Sequence, residues 1–308
     1  MIKNINNKRL NMAHRLAKWF DYQAPKIRGV RRLRNQLTKL VAPTFTPPQT
    51  ISTRYDFNLE LTTNNDNIDR ELYYRGSYEA GTLHVIEKCL GPNDIFLDIG
   101  ANIGLMSLFA SKCVGSNGHV YSFEPEPYNY NLLKKNLSLN EAQNVATFQV
   151  GLGSTSDSIT IFKNQDHNRG TSSFIKHTPE ATETAIVEVK QLDDFLADNN
   201  IDSIKMMKID VEGWELEVLK GALSTLSNPT APIICIEYNT SFPNHKEIYT
   251  FLTTINEYKI YILSNANWAV SRLIEIQSFH DLPLSGSPNL YCFLPVHLNS
   301  VSEELLTE

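Results

Sequence analysis

The sequence predicts an α/β protein built on a largely parallel sheet with helices on both faces. From residue 95 onward, short apolar strands alternate with segments of helical periodicity. Strands joined through helices form βαβ units, and a parallel sheet of such units is covered on both faces. The apolar content of 42% and the charged content of 20% are ordinary for a globular protein with a packed core. The 308 residues therefore accommodate one large α/β domain with additions.

The first 50 residues differ from the rest of the chain in charge. They contain eleven lysines and arginines against one acid, Asp21, although the whole chain carries a net charge of -6. Apolar residues recur at helical spacing from Leu10 to Phe20 and from Ile27 to Leu40, and a proline-rich stretch follows. We therefore predict a basic helical arm and linker over residues 1–50. We favour packing or homo-oligomer contact for this arm, with a membrane surface or a partner protein as the alternative.

The cysteine pattern and the hydropathy of the chain indicate its compartment. The four cysteines lie far apart, form no CxxC pair, and three of them are in apolar runs. This pattern predicts buried free thiols rather than a zinc site or disulfides. No segment approaches the roughly 18 consecutive apolar residues of a membrane helix, and the N-terminus lacks a signal-peptide core. These observations predict a cytoplasmic protein.

The order of the segments divides the rest of the chain. Residues 51–92 are predicted to form a cap that ends in a helix, residues 93–298 the α/β domain, and residues 299–308 a tail. Seven strands are expected in the sheet, in the segments IFLDIG, HVYSFEP, ATFQVGLG, IKMMKIDVE, APIICIEYN, YKIYIL and NLYCFLPV. The last two have no clear helix between them, which predicts an antiparallel hairpin at the edge of the sheet. An insertion before the fourth strand carries strand signals of its own, SITIFKN and AIVEVKQL.

The loop after the first predicted strand has the composition of a ligand-binding loop. The segment DIGANIG places Asp98, Gly100 and Gly104 at the carboxyl end of this strand, where open α/β sheets bind ligands. Glycines there allow a sharp turn and a close approach of the backbone to the ligand. Glu124 ends the second strand, and it and the following Pro125 are expected to line the cofactor site. A carboxylate at that point accepts hydrogen bonds from two adjacent ribose hydroxyls, which predicts an adenosine-type ligand.

The spacing of the glycines discriminates between adenosine-type cofactors. The dinucleotide fingerprint G-x-G-x-x-G is absent because Asn102 stands at the middle glycine, and no Gly-Lys-Ser/Thr follows as in a phosphate-binding loop. A glycine loop without a phosphate cradle suits S-adenosylmethionine, which contains a ribose but no phosphate. An NAD-type oxidoreductase on a similar sheet is the disfavoured alternative.

Two long segments carry a resemblance to a known family. FLDIGANIGLMSLFASKCVGSNGHVYSFEPEPYNYNLLKKNLSLN, followed by MKIDVEGWELEVLKGA, resembles the FkbM-type methyltransferases, a branch of the Rossmann-like class I enzymes that use S-adenosylmethionine. The resemblance covers about residues 75 to 265 and implies a seven-stranded sheet and methyl transfer, commonly to a hydroxyl of a sugar or natural product. It implies a cofactor site lined by Asp98, Gly100, Asn102, Gly104 and Glu124. The segment YYRGSYEAG resembles the family's lead-in element and adds Tyr78 and Glu79 at the rim of this site.

Acidic residues at two strand ends are the candidates for catalysis. A hydroxyl acceptor benefits from a general base, and Asp210 and Glu212 lie two apart, so on an extended segment both point into the cofactor crevice. Glu237, at the end of the next strand, is a further candidate beside the acceptor. Asp210 is also expected to contact the cofactor. We favour no metal site, because two nearby carboxylates lack an identifiable third ligand. Glu215 and Glu217 are expected to stabilise the dipole of the following helix.

The substrate is expected to be a small molecule or a glycan with a hydroxyl acceptor. Nucleic acid is not expected, because the body of the chain is acidic and lacks a basic track. Arg169, in the insertion, is a candidate partner for an anionic acceptor. A non-catalytic module recruited through the basic arm is the remaining alternative function.

Overall fold

The computed structural model describes residues 45–163, 172–176, 178–264, 271–283 and 285–299, together with Val301 and Leu305. The predicted helices of the basic arm lie outside the described residues, as do Arg169 and most of the predicted tail. Their contacts therefore stay predictions.

Within the described residues the chain forms nine α-helices, fourteen β-strands and a 3-10 turn at Phe279–Asp281. The strands are β1 (Gln49–Ser52), β2 (Asn58–Leu61), β3 (Ile95–Ile99), β4 (His119–Phe123), β5 (Val145–Phe148), β6 (Gly151–Leu152), β7 (Asp157–Lys163), β8 (Ser172–Ser173), β9 (Thr182–Lys190), β10 (Met206–Ile209), β11 (Ile233–Glu237), β12 (Lys259–Leu263), β13 (Leu273–Ile276) and β14 (Asn289–Phe293). The helices are α1 (Asn67–Arg75), α2 (Ala80–Cys89), α3 (Leu105–Val114), α4 (Pro127–Leu139), α5 (Leu192–Asp198), α6 (Glu215–Lys220), α7 (Leu223–Ser227), α8 (His245–Ile255) and α9 (Pro295–Leu298).

The central sheet has the order β13-β12-β14-β11-β10-β3-β4-β5. The neighbours from β11 to β5 pair in parallel, and they confirm the predicted Rossmann-like α/β class. β4 and β5 lie on one side of β3, whereas β10 and β11 lie on the other. The strand order therefore reverses between β3 and β10, and the crevice at such a switch point is where open α/β sheets bind ligands.

The far edge of the sheet differs from the prediction. The last two predicted strands, β12 and β14, do pair antiparallel, but β14 lies between β11 and β12 and not at the edge. The edge is formed by β13, which raises the sheet to eight strands. The expectation of seven strands with β12 and β14 as an edge hairpin was therefore wrong in this detail. Strand order is decided by packing, whereas periodicity in the sequence indicates only that a strand exists.

Helices cover both faces of the sheet because successive strand residues alternate between two cores. Phe96 of β3 and Met206 of β10 belong to the core under α2, α3 and α4. Their neighbours Leu97 and Met207 belong to the opposite core, under α5, α6 and α8. Asp98 and Lys208 lie two positions after Phe96 and Met206, so their side chains point to the same face of the sheet, which α2 and α3 cover.

The additions predicted from the sequence form small sheets beside the domain. The cap contains the antiparallel pair β1–β2 together with α1 and α2. The insertion forms a four-stranded sheet of order β6-β9-β7-β8, in which both predicted insertion strands are present as β7 and β9. Cys89, Cys235 and Cys292 are buried free thiols, as predicted, and Cys113 is a partly buried free thiol. No helix among the described residues is long and apolar enough to span a membrane.

Candidate active site

A cleft of about 1060 Å³, partly open to solvent, lies at the carboxyl ends of β3, β4 and β10. Its position coincides with the reversal of strand order. Seven of the eight predicted cofactor residues line it: Glu79, Asp98, Gly100, Asn102, Glu124, Pro125 and Asp210.

The eighth predicted residue, Gly104, does not line the cleft but lies where the loop joins helix α3. Its backbone φ of 89° begins helix α3, and a Cβ there would lie 2.6 Å from the side chain of Leu133. Gly100 is more constrained, because its φ is 84° and a Cβ would lie 1.8 Å from the carbonyl oxygen of Asp210. The loop therefore packs directly against the end of β10, which only glycine at position 100 permits.

Glu124 is held in place by the same loop. Its carboxylate accepts hydrogen bonds from the backbone N–H of Asn102 at 2.8 Å and of Glu126 at 3.0 Å. The side chain is buried, and this burial raises its pKa to about 8. A fixed, buried carboxyl at the end of β4 is a suitable acceptor for paired hydroxyls.

Three buried acceptor atoms at the cleft lack hydrogen-bond partners among the described residues. They are Oδ1 of Asp98, Oδ1 of Asn102 and Oδ1 of Asn129. The other oxygen of Asp98 accepts a hydrogen bond from the hydroxyl of Ser107 at 2.5 Å. Buried polar atoms are normally paired, so these three acceptors suit a polar ligand that donates hydrogen bonds.

Lys208 is a functional candidate that the sequence analysis missed. The side chain is 4% exposed, and its Nζ donates to Oδ2 of Asp210 at 2.6 Å. Burial lowers the pKa of Lys208, but the carboxylates of Asp210, Glu79 and Asp98 outweigh burial and raise it well above its usual value. The sequence did contain an indication of this role, because Lys208 stands inside the apolar strand segment IKMMKID, where burying an unpaired cation costs free energy.

The three predicted catalytic acids come together. Oxygens of Asp210, Glu212 and Glu237 lie within 4.8 Å of one another. Burial and then the neighbouring carboxylates raise the pKa of Glu212 to about 8 and that of Glu237 to about 10. Asp210 and Glu212 line the cleft, whereas Glu237 does not.

The backbone brings Glu212 to the cleft in a different way from the one predicted. β10 ends at Ile209, and Glu212 has a φ of 54°, so the segment turns and is not extended. The hydroxyl of Ser173 donates to the backbone carbonyl of Glu212 at 2.7 Å and thereby ties this turn to the insertion. The acids predicted from the sequence do lie close together, but a left-handed turn, and not an extended strand, leads to Glu212.

No metal site is assigned to the three carboxylates. Lys208 pairs with Oδ2 of Asp210, but Glu237 supplies the third carboxylate that the sequence analysis did not identify, and oxygens of the three groups lie within 4.8 Å of one another. The preference against a metal remains a prediction.

Glu215 and Glu217 have structural partners, as expected. The carboxylate of Glu215 accepts from the backbone N–H of Val211 and of Gly213, each at 3.1 Å, so it stabilises the turn as well as the start of α6. Glu217 forms an ion pair with Lys220 at 2.7 Å. Neither of these two glutamates lines the cleft.

The rim of the cleft is fastened to β14. Glu79 precedes α2 with a φ of 48°, and its carboxylate accepts from Nδ2 of Asn289 at 3.2 Å. The same amide donates to the hydroxyl of Thr82 at 3.0 Å. Asn289 had no sequence signal, because its role depends on the insertion of β14 into the middle of the sheet. Tyr78 also lines the cleft, as the resemblance implied.

The sequence of the chain is similar to those of known methyltransferases. The family model "Methyltransferase FkbM domain" matches residues 98–260. Methyltransferase sdnD of Sordaria araneosa is 32% identical over 160 residues, which are 43% of this chain and 61% of that protein. Methyltransferase 1 of Beauveria bassiana is 28% identical over 162 residues, 44% of this chain and 63% of the relative. The match thus spans less than two thirds of the length of these two fungal relatives.

Two further proteins are similar at lower identity. The hexuronic acid methyltransferase AglP of Haloferax volcanii is 25% identical over 191 residues, 60% of this chain and 76% of AglP. The crystal structure of an FkbM methyltransferase from Methylobacillus flagellatus is 15% identical with a TM-score of 0.43, and the alignment covers 87% of this chain and 72% of that one. Because the family model matches more than half of the sequence, the chain belongs to the FkbM methyltransferase family.

Proposed function

We propose that this chain is an S-adenosylmethionine-dependent O-methyltransferase that acts on a hydroxyl of a sugar, a glycan or a secondary metabolite. The observation that carries the proposal is the cleft at the switch point, with a fixed Glu124 on one wall and the Asp210–Glu212 pair on the other. An adenosine ribose fits the first wall, and an acceptor hydroxyl fits the second.

The residues present fit this cofactor in charge and in hydrogen bonding. When bound, S-adenosylmethionine supplies a methyl group on a positively charged sulfur. Glu124 would accept from the ribose hydroxyls, and the unpaired Oδ1 atoms of Asp98 and Asn129 would accept from the polar groups of the ligand. The acidic lining, with Glu79 and Asp210 at the other side, suits a ligand of net positive charge.

The chain's own contribution to the reaction is alignment and proton removal. Holding the acceptor oxygen in line with the methyl carbon removes much of the entropic cost of the step. A carboxylate beside that oxygen takes up the hydroxyl proton, and an acid whose pKa lies near the working pH is best suited to do so. Glu212 lines the cleft, and its pKa of about 8 meets this condition.

One relative supports the proposed acceptor class. AglP is a hexuronic acid methyltransferase, so a relative with the same domain acts on a sugar. An NAD-type oxidoreductase is the weaker candidate, because Asn102 occupies the place of the middle glycine that lets the backbone approach a pyrophosphate.

Calorimetry with purified chain tests the proposal. We expect S-adenosylmethionine and S-adenosylhomocysteine to bind, and NAD not to bind. Glu124→Ala should weaken the affinity for S-adenosylhomocysteine by about tenfold or more, since hydrogen bonds to a charged group contribute about 1.5–3 kcal/mol. Glu60→Ala, a change of the same kind on the cap strand β2, is the control and should leave the affinity unchanged. Binding of NAD without binding of either S-adenosyl ligand would overturn the proposal.

A further inference from the structure

Among the described residues that line the cleft, Lys208 is the one lysine or arginine, and acidic residues surround it. The other charged residues that line the cleft are carboxylates: Glu79, Asp98, Glu124, Glu126, Asp210 and Glu212. A lysine that is 4% exposed must be paired to remain charged. Its choice of partner therefore decides how negative charge is distributed over the site.

The sheet register points Lys208 towards these acids. Its Cα partner in β3 is Asp98 and its partner in β11 is Cys235, so the three side chains leave the same face of adjacent parallel strands. The strand ends one residue later, and the ammonium reaches forward to Oδ2 of Asp210 at 2.6 Å. Asp210 is 25% exposed, so the pair lies between the core and the cleft.

This pairing separates the roles of the two carboxylates that line the cleft beside β10. The ammonium of Lys208 engages one oxygen of Asp210, so this carboxylate is less available to a substrate hydroxyl. Oxygens of Glu212 and Glu237 lie within 4.8 Å of each other and of Asp210. Like charges this close favour retention of a proton on this pair.

We infer that Lys208 is a positioning residue that engages Asp210 in an ion pair and thereby leaves Glu212 as the carboxyl that exchanges a proton with the acceptor. The inference rests on the proposed methyl transfer. In that step the acceptor oxygen forms a bond to the methyl carbon, and the carbon–sulfur bond breaks with its electron pair left on sulfur as a thioether. The hydroxyl proton passes to the ionised carboxylate of Glu212, so atoms and charges balance.

The charge state of Glu212 depends on all the titratable groups that face this part of the cleft. Among the described residues these groups include Lys208 and Tyr78 and, from the strands and turns around the cleft, Asp98, Glu79, Asp210, Glu215, Cys235 and Glu237. Lys208 opposes the effect of the carboxylates on Glu79, Asp98, Glu212 and Glu237 alike. Its removal should therefore leave more of these groups protonated at neutral pH.

Infrared spectroscopy of the ligand-free chain tests the inference, because protonated carboxyl groups have a C=O band separate from that of carboxylates. In wild type this band should decrease as the pH rises through the range of Glu212. Lys208→Met should move that decrease upward by about one pH unit or more. Lys208→Arg, which keeps the charge, should restore the wild-type position. The matched control Lys205→Met lies just before the same strand and outside the cleft, and it should leave the band unchanged.

A second pair of variants identifies the proton-carrying residue even if Lys208→Met does not fold. Glu212→Gln should remove one carboxyl from the titrating band, whereas Asp210→Asn should leave the band of Glu212 in place. The inference is overturned if Asp210→Asn removes the band and Glu212→Gln does not, or if a folded Lys208→Met titrates as wild type. These measurements need no cofactor, so a failure to bind S-adenosylmethionine would overturn the proposed function and leave their result standing.

Discussion

Glu215 allows the link between burial and pH-dependent stability to be measured in this protein. The side chain is 1% exposed at the start of α6, and its carboxylate accepts the backbone N–H groups of Val211 and Gly213. Burial raises the pKa of Glu215 to about 7 in spite of these hydrogen bonds. The substitution Glu215→Gln keeps an acceptor oxygen for both N–H groups and removes the ionisation.

The sign of the effect follows from the direction of the pKa shift. A carboxyl whose pKa is raised on folding binds its proton more tightly in the folded chain. Its contribution to stability is therefore complete below the ordinary pKa of 4.5 and is lost as the pH rises through about 7. At about 1.4 kcal/mol per pKa unit, the loss for Glu215 is about 3 kcal/mol. We expect Glu215→Gln to equal wild type near pH 4.5 and to be more stable by up to about 3 kcal/mol near pH 8.

Urea unfolding followed by circular dichroism at a series of pH values measures this difference. Glu217→Gln is the control, since it changes the same residue type two positions later in α6. For Glu217, burial raises the pKa, but the hydrogen bonds from Lys220 and Ser154 outweigh burial and lower it. The stabilising effect of Glu217 is thus present above its ordinary pKa and is lost as the pH falls, which is the opposite trend. A constant difference in unfolding free energy between Glu215→Gln and wild type across this pH range would refute the reasoning.

The remaining predictions concern the cleft. Gly100→Ala should lower the free energy of unfolding by about 2 kcal/mol or more beyond the effect of Gly115→Ala, because both have positive φ but only at Gly100 would a Cβ meet backbone, at 1.8 Å. Thermal or urea unfolding of the two variants checks this, and equal losses would contradict the close packing of the loop on β10. Glu212→Gln should lower turnover on a hydroxyl acceptor by about 100-fold or more, with a much smaller change in the affinity for S-adenosylmethionine. Release of S-adenosylhomocysteine over a panel of sugars, combined with calorimetry, measures both quantities, and equal losses would assign Glu212 to cofactor binding.

The part of the cleft that we propose to bind the cofactor was the most predictable part of the site. Asp98, Gly100, Asn102 and Glu124 lie within or directly after two consecutive strands, and the carboxyl ends of adjacent parallel strands meet at one edge. Local sequence order was therefore sufficient to bring them together. Gly104 was assigned to the cofactor wall by the same reasoning, but its side of the loop packs on Leu133 of α4, a contact that no local pattern indicates.

The acceptor side depended on contacts between distant segments. Lys208 was missed because a single lysine in a strand forms no recognisable sequence pattern. Its importance is visible only from its neighbours Asp98 and Asp210 in the folded chain. Asn289 was missed because β14 enters the sheet beside β11, which places this residue near Glu79 although 210 positions separate them. Both residues act through partners brought close by strand order and register.

The sequence by itself determined the elements of this protein and the chemistry of its cleft. The alternation of strands and helices, the glycine loop and the acids at strand ends follow from periods of 2 and 3.6 residues and from residue type, which are local properties. Only the tertiary structure decided the position of β14, the left-handed turn at Glu212 and the pairing of Lys208 with Asp210. The physical reason is that the charge state of a buried group depends on every charge within a few ångströms, and those neighbours are chosen by the packing of the whole sheet.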